Sequence, residues 1–144
     1  MPNAAPDCQL DKADFEQLAL FRYQLRRFLR FSEEVTRKRG ITTLQYQLLL
    51  QLKGFPGREW ASVGELAERL QAHHHGVVAL ISRCEATGLV RRRASAADRR
   101  RVEIHLTAKG LRCVTALATQ HREELLSLTG EWKVPGLPVC AQEA

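Results

Sequence analysis

Six of the eleven residues from Arg91 to Arg101 are arginines: Arg91, Arg92, Arg93, Arg99, Arg100 and Arg101. The one acid among them is Asp98, so this stretch has a local net charge of +5 in a chain whose total is +6. Guanidinium groups pair with phosphate oxygens, and an excess this local is the electrostatic footprint of a nucleic-acid contact. A merely soluble basic hairpin would not account for the localisation. A second set of groups lies upstream: His73, His74, His75 and Gly76, then Val78, Ala79 and Arg83. An imidazole can donate to guanine N7 or O6 or to a phosphate, and Val78 or Ala79 can touch a thymine methyl. The histidines have two competing readings, solvated surface and a metal site. Successive helical residues diverge by about 100°, so three in a row do not converge easily on one ion. The expectation is DNA contact, with no metal and no cofactor. A hydrolase or metal enzyme built on His73, His75 and His105 is the reading from another class. The sequence has no His-Glu-x-x-His, no glycine-rich phosphate loop and no nucleophile–base–orienter set, so no enzyme is expected.

These residues need elements to present them. Ser62 and Glu65 have the spacing of a capping box, and Leu66, Ala67 and Leu70 mark the buried face of the short helix it starts. Gln71-Ala72 is a tight connection. Val77, Leu80, Ile81 and Cys84 then recur at i, i+3, i+4 and i+7, a second amphipathic helix. Gly88 stands where a helix C-terminus favours positive φ. Two short helices about a tight turn make a helix-turn-helix. A recognition helix presents its N-terminal exposed positions to the major groove, here His74, His75 and Gly76, with Arg83 later meeting phosphate. Leu89-Val90 opens an extended run, and Val102, Ile104 and Leu106 alternate with Arg101, Glu103 and His105 as in a half-buried strand. Between them Ala94 to Asp98 forms a small polar tip, so the two strands make a hairpin, or wing. An arginine at that tip can enter a narrow minor groove.

The rest of the chain reads as helices around this lobe. Phe15, Leu18, Phe21, Leu25, Phe28 and Val35 recur at mostly helical intervals, while Arg22, Arg26, Arg27 and Arg30 form a solvated face. Thr42 and Gln45 can cap a second helix buried through Tyr46, Leu48, Leu49 and Leu52. Gly54-Phe55-Pro56-Gly57 ends it, and Trp60-Ala61 form a brief strand against the wing. Thr107 can cap a long segment in which Leu111, Val114, Ala118, His121, Leu125 and Leu128 step by three and four, a seam suited to helical dimerisation. Gly130, Pro135 and Pro138 stop it. His121 is expected as a satisfied interface histidine. Phe21, Phe28, Tyr46 and Trp60 either line a pocket for an effector or belong to the core. Cys84 is expected to serve packing, and Cys113 falls one position off the seam.

Length and composition bound the class. The 144 residues suit one domain with a real core, and a sequence pI near 9.5 suits a polyanionic partner. The N-terminus lacks the basic and apolar regions of a secretory signal, and no apolar run approaches the roughly 20 residues of a membrane span. The cysteines Cys8, Cys84, Cys113 and Cys140 have no Cys-x-x-Cys spacing, which fits a reducing cytosol and a cytoplasmic protein.

Two stretches carry a resemblance. Ser62 to Val90, with Leu66-Ala67-Glu68-Arg69-Leu70 and Glu85-Ala86-Thr87-Gly88-Leu89-Val90, resembles the winged helix-turn-helix of the MarR family. Asp98-Arg99-Arg100-Arg101-Val102-Glu103-Ile104-His105-Leu106-Thr107-Ala108-Lys109-Gly110 is similar to that family's wing signature. The resemblance covers roughly residues 14 to 128. The implied fold is mainly α with a small β-wing: a winged helix-turn-helix plus a helical dimerisation region. It divides into an N-terminal tail (1–13), a helical dimerisation region (14–40 and 107–130), a DNA-binding lobe (41–106) and a C-terminal tail (131–144). It further implies a homodimer on a pseudo-palindromic operator of double-stranded DNA, acting as a ligand-responsive repressor with a small aromatic or lipophilic effector. Asp98 would pair with an arginine of the wing or helix and hold the loop. The alternative on the same scaffold is a regulator that senses oxidants through Cys8 or Cys140.

Overall fold

A computed structural model describes residues 9–128. Cys8, Gly130, Pro135, Pro138 and Cys140, with most of the two expected tails, lie outside them. The element order is α1 (Lys12–Lys38), α2 (Thr43–Lys53), β1 (Trp60–Ala61), α3 (Val63–Leu70), α4 (His74–Ala86), β2 (Val90–Ala94), β3 (Val102–Leu106) and α5 (Ala108–Ser127).

Four helices start where a side chain takes up a free backbone N–H. Asp11 caps α1 and Asp14 reaches back to the Asp11 N–H, so the helix begins at Lys12, two residues before the expected boundary. Thr42 with Gln45 caps α2, and Ser62 with Glu65 caps α3, both as full capping boxes. Thr107 Oγ1 caps α5 by accepting from the Gly110 N–H at 3.0 Å. In α4 the N-cap is His73, which makes no side-chain cap bond. The first N–H groups of that helix are therefore not taken up by an N-cap side chain.

The core forms around α2, whose Leu48, Leu49 and Leu52 are fully buried. Leu66 of α3, Val77 and Ile81 of α4, Ile104 of β3 and Leu117 of α5 close over them. The antiparallel sheet has the order β1-β3-β2. Trp60 and Ala61 lie opposite His105 and Ile104, and Val90 to Ala94 run against Leu106 to Val102.

The faces expected from the sequence are only partly buried within the chain. In β3 only Ile104 is fully buried, while Val102 is 39% exposed. In α5 the buried side is Gly110, Cys113, Val114, Leu117 and His121, and Leu111 and Leu125 of the expected seam are exposed. Helix α5 turns this side inward because it packs on α2, α1 and β3 of its own chain, and Cys113 is carried into the core with it. In α1, Phe15 and Leu18 are exposed, whereas Gln24, Ser32 and Thr36 are buried.

His121 is a core histidine within one chain. Its Nδ1 lies 2.6 Å from the Leu117 carbonyl and its Nε2 lies 2.8 Å from Ser32 Oγ. A ring nitrogen beside a carbonyl must carry the proton, so Nδ1 donates to Leu117 and Nε2 shares the second hydrogen bond with the Ser32 hydroxyl. The ring stacks on Tyr46 at 4.4 Å and meets Phe28 and Phe31 edge-on. This cluster ties α1, α2 and α5 together.

Candidate nucleic-acid interface

The turn between α3 and α4 depends on Gln71, which adopts φ 49°, ψ 48° in the left-handed region. That conformation disfavours a side chain. It is held by backbone donation from Gln71 to Glu68 and from Ala72 to Ala67, and by Gln71 Nε2 donating to the Glu68 carbonyl at 2.8 Å. The turn sets α4 so that Val77, Leu80, Ile81 and Cys84 face the core. His73, His74, His75, Gly76, Ala79 and Arg83 then lie exposed, and Val78 is half-buried. The rings of His73 and His75 stand 5.8 Å apart and nearly parallel. Among the described residues no three His, Cys, Asp or Glu side chains are grouped to hold a metal ion.

The period of two in β2 separates the arginines. Arg91 and Arg93 are exposed; Arg92 points the other way, onto α4. Its backbone N–H donates to Glu85 Oε2 at 2.9 Å and its Nη1 to Glu85 Oε1 at 2.8 Å. Its Nη2 donates to Ser82 Oγ at 2.9 Å and to the Val78 carbonyl at 3.4 Å. Arg92, expected to contact DNA, is thus occupied in fastening the wing to α4. The Arg92 backbone N–H holds the Glu85 carboxyl below its ordinary range, against the opposing pull of desolvation, and the Arg92 guanidinium adds to the lowering. Sequence reasoning missed Glu85 and Ser82. They occupy positions i+7 and i+4 from Val78 on one helix face, and that spacing was the available signal.

The wing tip is built from short polar side chains. Ser95 is buried, and its Oγ accepts from the N–H groups of Ala97 and Asp98 at 3.3 and 3.4 Å. Asp98 Oδ1 accepts from the Arg100 backbone N–H at 3.0 Å. Asp98 therefore braces the loop through a backbone bond, where pairing with a guanidinium was expected. The Ser95 N–H donates to the Arg101 carbonyl at 2.9 Å and closes the tip. Arg99, Arg100 and Arg101 project from this braced turn, all exposed.

Two further contacts fix the lobe. Arg58 lies over Trp60 at 3.9 Å and over Phe55 at 4.4 Å, and it pairs with Glu65 at the start of α3. At the other end, Thr107 Oγ1 donates to the Gly88 carbonyl and Lys109 Nζ to the Thr87 carbonyl at 2.7 Å. Gly88 itself has φ 76°, as a C-terminal glycine should. The exit of α4 is thereby joined to the first turn of α5. The four candidate pocket aromatics are not brought together. Phe28 and Tyr46 flank His121, whereas Trp60 stacks on His105 and under Arg58; Phe21 is half-buried on α1. Cys84 is fully buried, and burial pushes its thiol up to about 11, the opposite of an activated cysteine.

Residues 39–101 match the family model described as MarR family. A Thauera aromatica protein assigned to transcriptional regulation of the hcr operon is 29% identical over 98 residues, 68% of this chain. The chain spans 57% of the length of that curated relative. Among solved structures, AbsC, a MarR family transcriptional regulator from Streptomyces coelicolor, is 25% identical, with a TM-score of 0.69 over 88% of this chain and 85% of that one. A single-residue variant of MepR from Staphylococcus aureus, solved bound to an oligodeoxyribonucleotide, is also 25% identical, with a TM-score of 0.64 over 80% and 83% of the two chains. Among the described residues, five helices and a three-stranded wing sheet agree with the matched segment, and the chain is similar in fold to MarR family winged-helix proteins, with the sequence match confined to residues 39–101.

Proposed function

We propose that this protein is a DNA-binding transcriptional regulator. It acts in the cytoplasm as a homodimer on a pseudo-palindromic operator, as a repressor relieved by a small effector. The observation that carries the reading is the placement of charge. The stretch Arg91–Arg101 of the wing, of net charge +5, stands beside an exposed helix N-terminus, and the Arg92–Glu85 fork holds the two in one orientation. In this reading His73, His74, His75, Gly76, Val78 and Ala79 face the major groove, and Arg83, Arg91, Arg93 and Arg101 meet phosphates. Arg99 or Arg100 enters the adjacent minor groove. Arg92 acts as a positioning residue rather than a phosphate ligand. Each half-site takes one lobe, with the two about one helical turn apart. The helical parts 14–40 and 107–128 supply the dimer contact, a role that the exposed Phe15 and Leu18 support. The MepR variant solved on DNA supports the mode of binding.

The test is fluorescence anisotropy against the protein's own promoter region and against random duplex, over a series of salt concentrations. Affinity should fall steeply with salt, because each arginine–phosphate contact releases counterions. If Arg100 is the inserted side chain, Arg100→Ala should cost roughly 1–3 kcal/mol, and a lost phosphate contact should lower the salt slope by about 1. Binding that ignores salt, or that does not distinguish the promoter from random DNA, overturns the proposal.

A further inference from the structure

The outward face of the wing sheet carries a carboxylate among its arginines. Strand register puts it there. Arg93 lies directly opposite Glu103, and Arg91 lies opposite His105, which on its other side lies opposite Trp60. Partners across a ladder point to the same face, and long side chains also reach their diagonal neighbours. Glu103 therefore has Arg93 across the ladder, Arg91 on the diagonal and His105 two residues along its own strand. A cross-strand pair of opposite charge is the ordinary outcome of such a register. The observed outcome differs. Glu103 Oε1 lies 2.9 Å from His105 Nε2, and among the described residues Glu103 pairs with neither arginine. An ionised carboxylate only accepts, so Nε2 carries the proton and donates.

The imidazole is held in place for this bond. Its ring stacks on Trp60 with centroids 6.4 Å apart, and Trp60 is covered in turn by Arg58, which is anchored on Glu65 at the start of α3. Glu59, which shares a small pocket with His105, is taken up by Lys53. Only 14% of the Glu103 side chain and 20% of the His105 side chain is exposed, so salt screens this pair less than a surface one. We propose that His105 is a positioning residue for DNA binding, a role that rests on the DNA-binding reading above. By holding the Glu103 carboxylate it keeps Arg91 and Arg93 free for phosphate. Without that donor Glu103 turns to Arg93, and a phosphate must displace the carboxylate before it can bind.

The test is a double-mutant cycle of His105→Phe and Glu103→Gln in the full chain, read by fluorescence anisotropy on the protein's own promoter region. Phenylalanine keeps a ring against Trp60 and suits a strand, and circular dichroism checks that each variant is folded. His105→Phe should weaken binding roughly fivefold or more and lower the salt slope by about 1, the loss of one phosphate contact. Glu103→Gln should bind at least as tightly as the parent, and the double variant should match Glu103→Gln to within about twofold. Unchanged affinity in His105→Phe overturns the proposal. So does a double variant as weak as His105→Phe, because the imidazole then acts through packing or on the phosphate itself. The same cycle has a readout without DNA. In heteronuclear NMR spectra of the free protein, the Arg93 Nε–H should exchange with water more slowly in His105→Phe than in the parent, and at the parent's rate in the double variant. Equal exchange in parent and His105→Phe overturns the move of Glu103 to Arg93 whether or not the protein binds DNA. A parent that binds no DNA while Arg93 responds in this way overturns the DNA-binding reading and leaves the Glu103–His105 pairing standing.

Discussion

Replacing Gly110 by alanine sets two effects of opposite sign against each other. In a helix the change from glycine to alanine is worth up to about 1 kcal/mol in favour of folding. Gly110 lies in the first turn of α5, where that gain is smaller. Against it stands a contact: a Cβ at this position would lie 2.0 Å from the Leu89 carbonyl oxygen, 2.9 Å from its carbon and 3.3 Å from Leu106 Cδ2. An ordinary carbon–oxygen approach is roughly 3.3 Å, so α5 and residue 89 must separate by about an ångström. The carbonyl is not free to yield. It accepts the Thr107 N–H at 3.1 Å, and the neighbouring Gly88 and Thr87 carbonyls accept from Thr107 and Lys109. Overpacking of this kind costs about 1–3 kcal/mol, and each stretched hydrogen bond adds on the order of 1 kcal/mol. The net expectation is a loss of roughly 2–3 kcal/mol, a fall in Tm on the order of 5–10 °C for a chain of this length. Urea unfolding followed at 222 nm should show a lower midpoint at unchanged slope. Gly64→Ala is the matched control. It lies in the exposed first turn of α3 with nothing within 4 Å of the added Cβ, so it carries the same reduced helix gain without the clash and should stabilise by up to about 0.5 kcal/mol. Gly110→Ala that is as stable as the parent, or more so, refutes the close-approach argument.

Other perturbations probe the fork and the histidine cluster. Glu85→Gln should speed hydrogen exchange at the Arg92 amide, which donates to that carboxylate, while the Ile104 amide at the core keeps its protection; equal exchange at Arg92 would mean the fork does not hold the wing. The same group gives a pH dependence. Its carboxyl is held below the ordinary 4.5, so its stabilising effect is fully present above that pH and is lost as the pH falls through the lowered value. Acid unfolding of the parent should therefore be steeper below pH 4.5 than that of Glu85→Gln, and superimposable curves would exclude the linkage. Ser32→Ala removes the partner of His121 Nε2 inside the core and should cost about 1–3 kcal/mol; an unchanged urea midpoint would mean that water reaches the ring.

The parts legible in the sequence were those set by neighbours along the chain. Capping boxes, the core stripe of α4 and the positive-φ glycine are all decided within seven residues, and each stands where the pattern put it. What the sequence could not give was which partner each face meets. The heptad-like steps of α5 fit a helical seam equally well on either side of Val114. The choice fell to the side carrying Gly110 and Leu117, because only a residue without Cβ lets the helix start against Leu89. The arginine run has the same ambiguity in electrostatic form. Its total charge is a property of composition, but strand alternation divides it into outward and inward members, and Glu85 from another element neutralises the inward one. The outward-facing charge of the wing is consequently that of Arg91, Arg93, Arg99, Arg100 and Arg101. Arg92 serves to keep those five at a fixed angle to α4. Local spacing puts Ser82 and Glu85 on one face of α4 but does not say which arginine meets them; the register of β2 against that helix decides it.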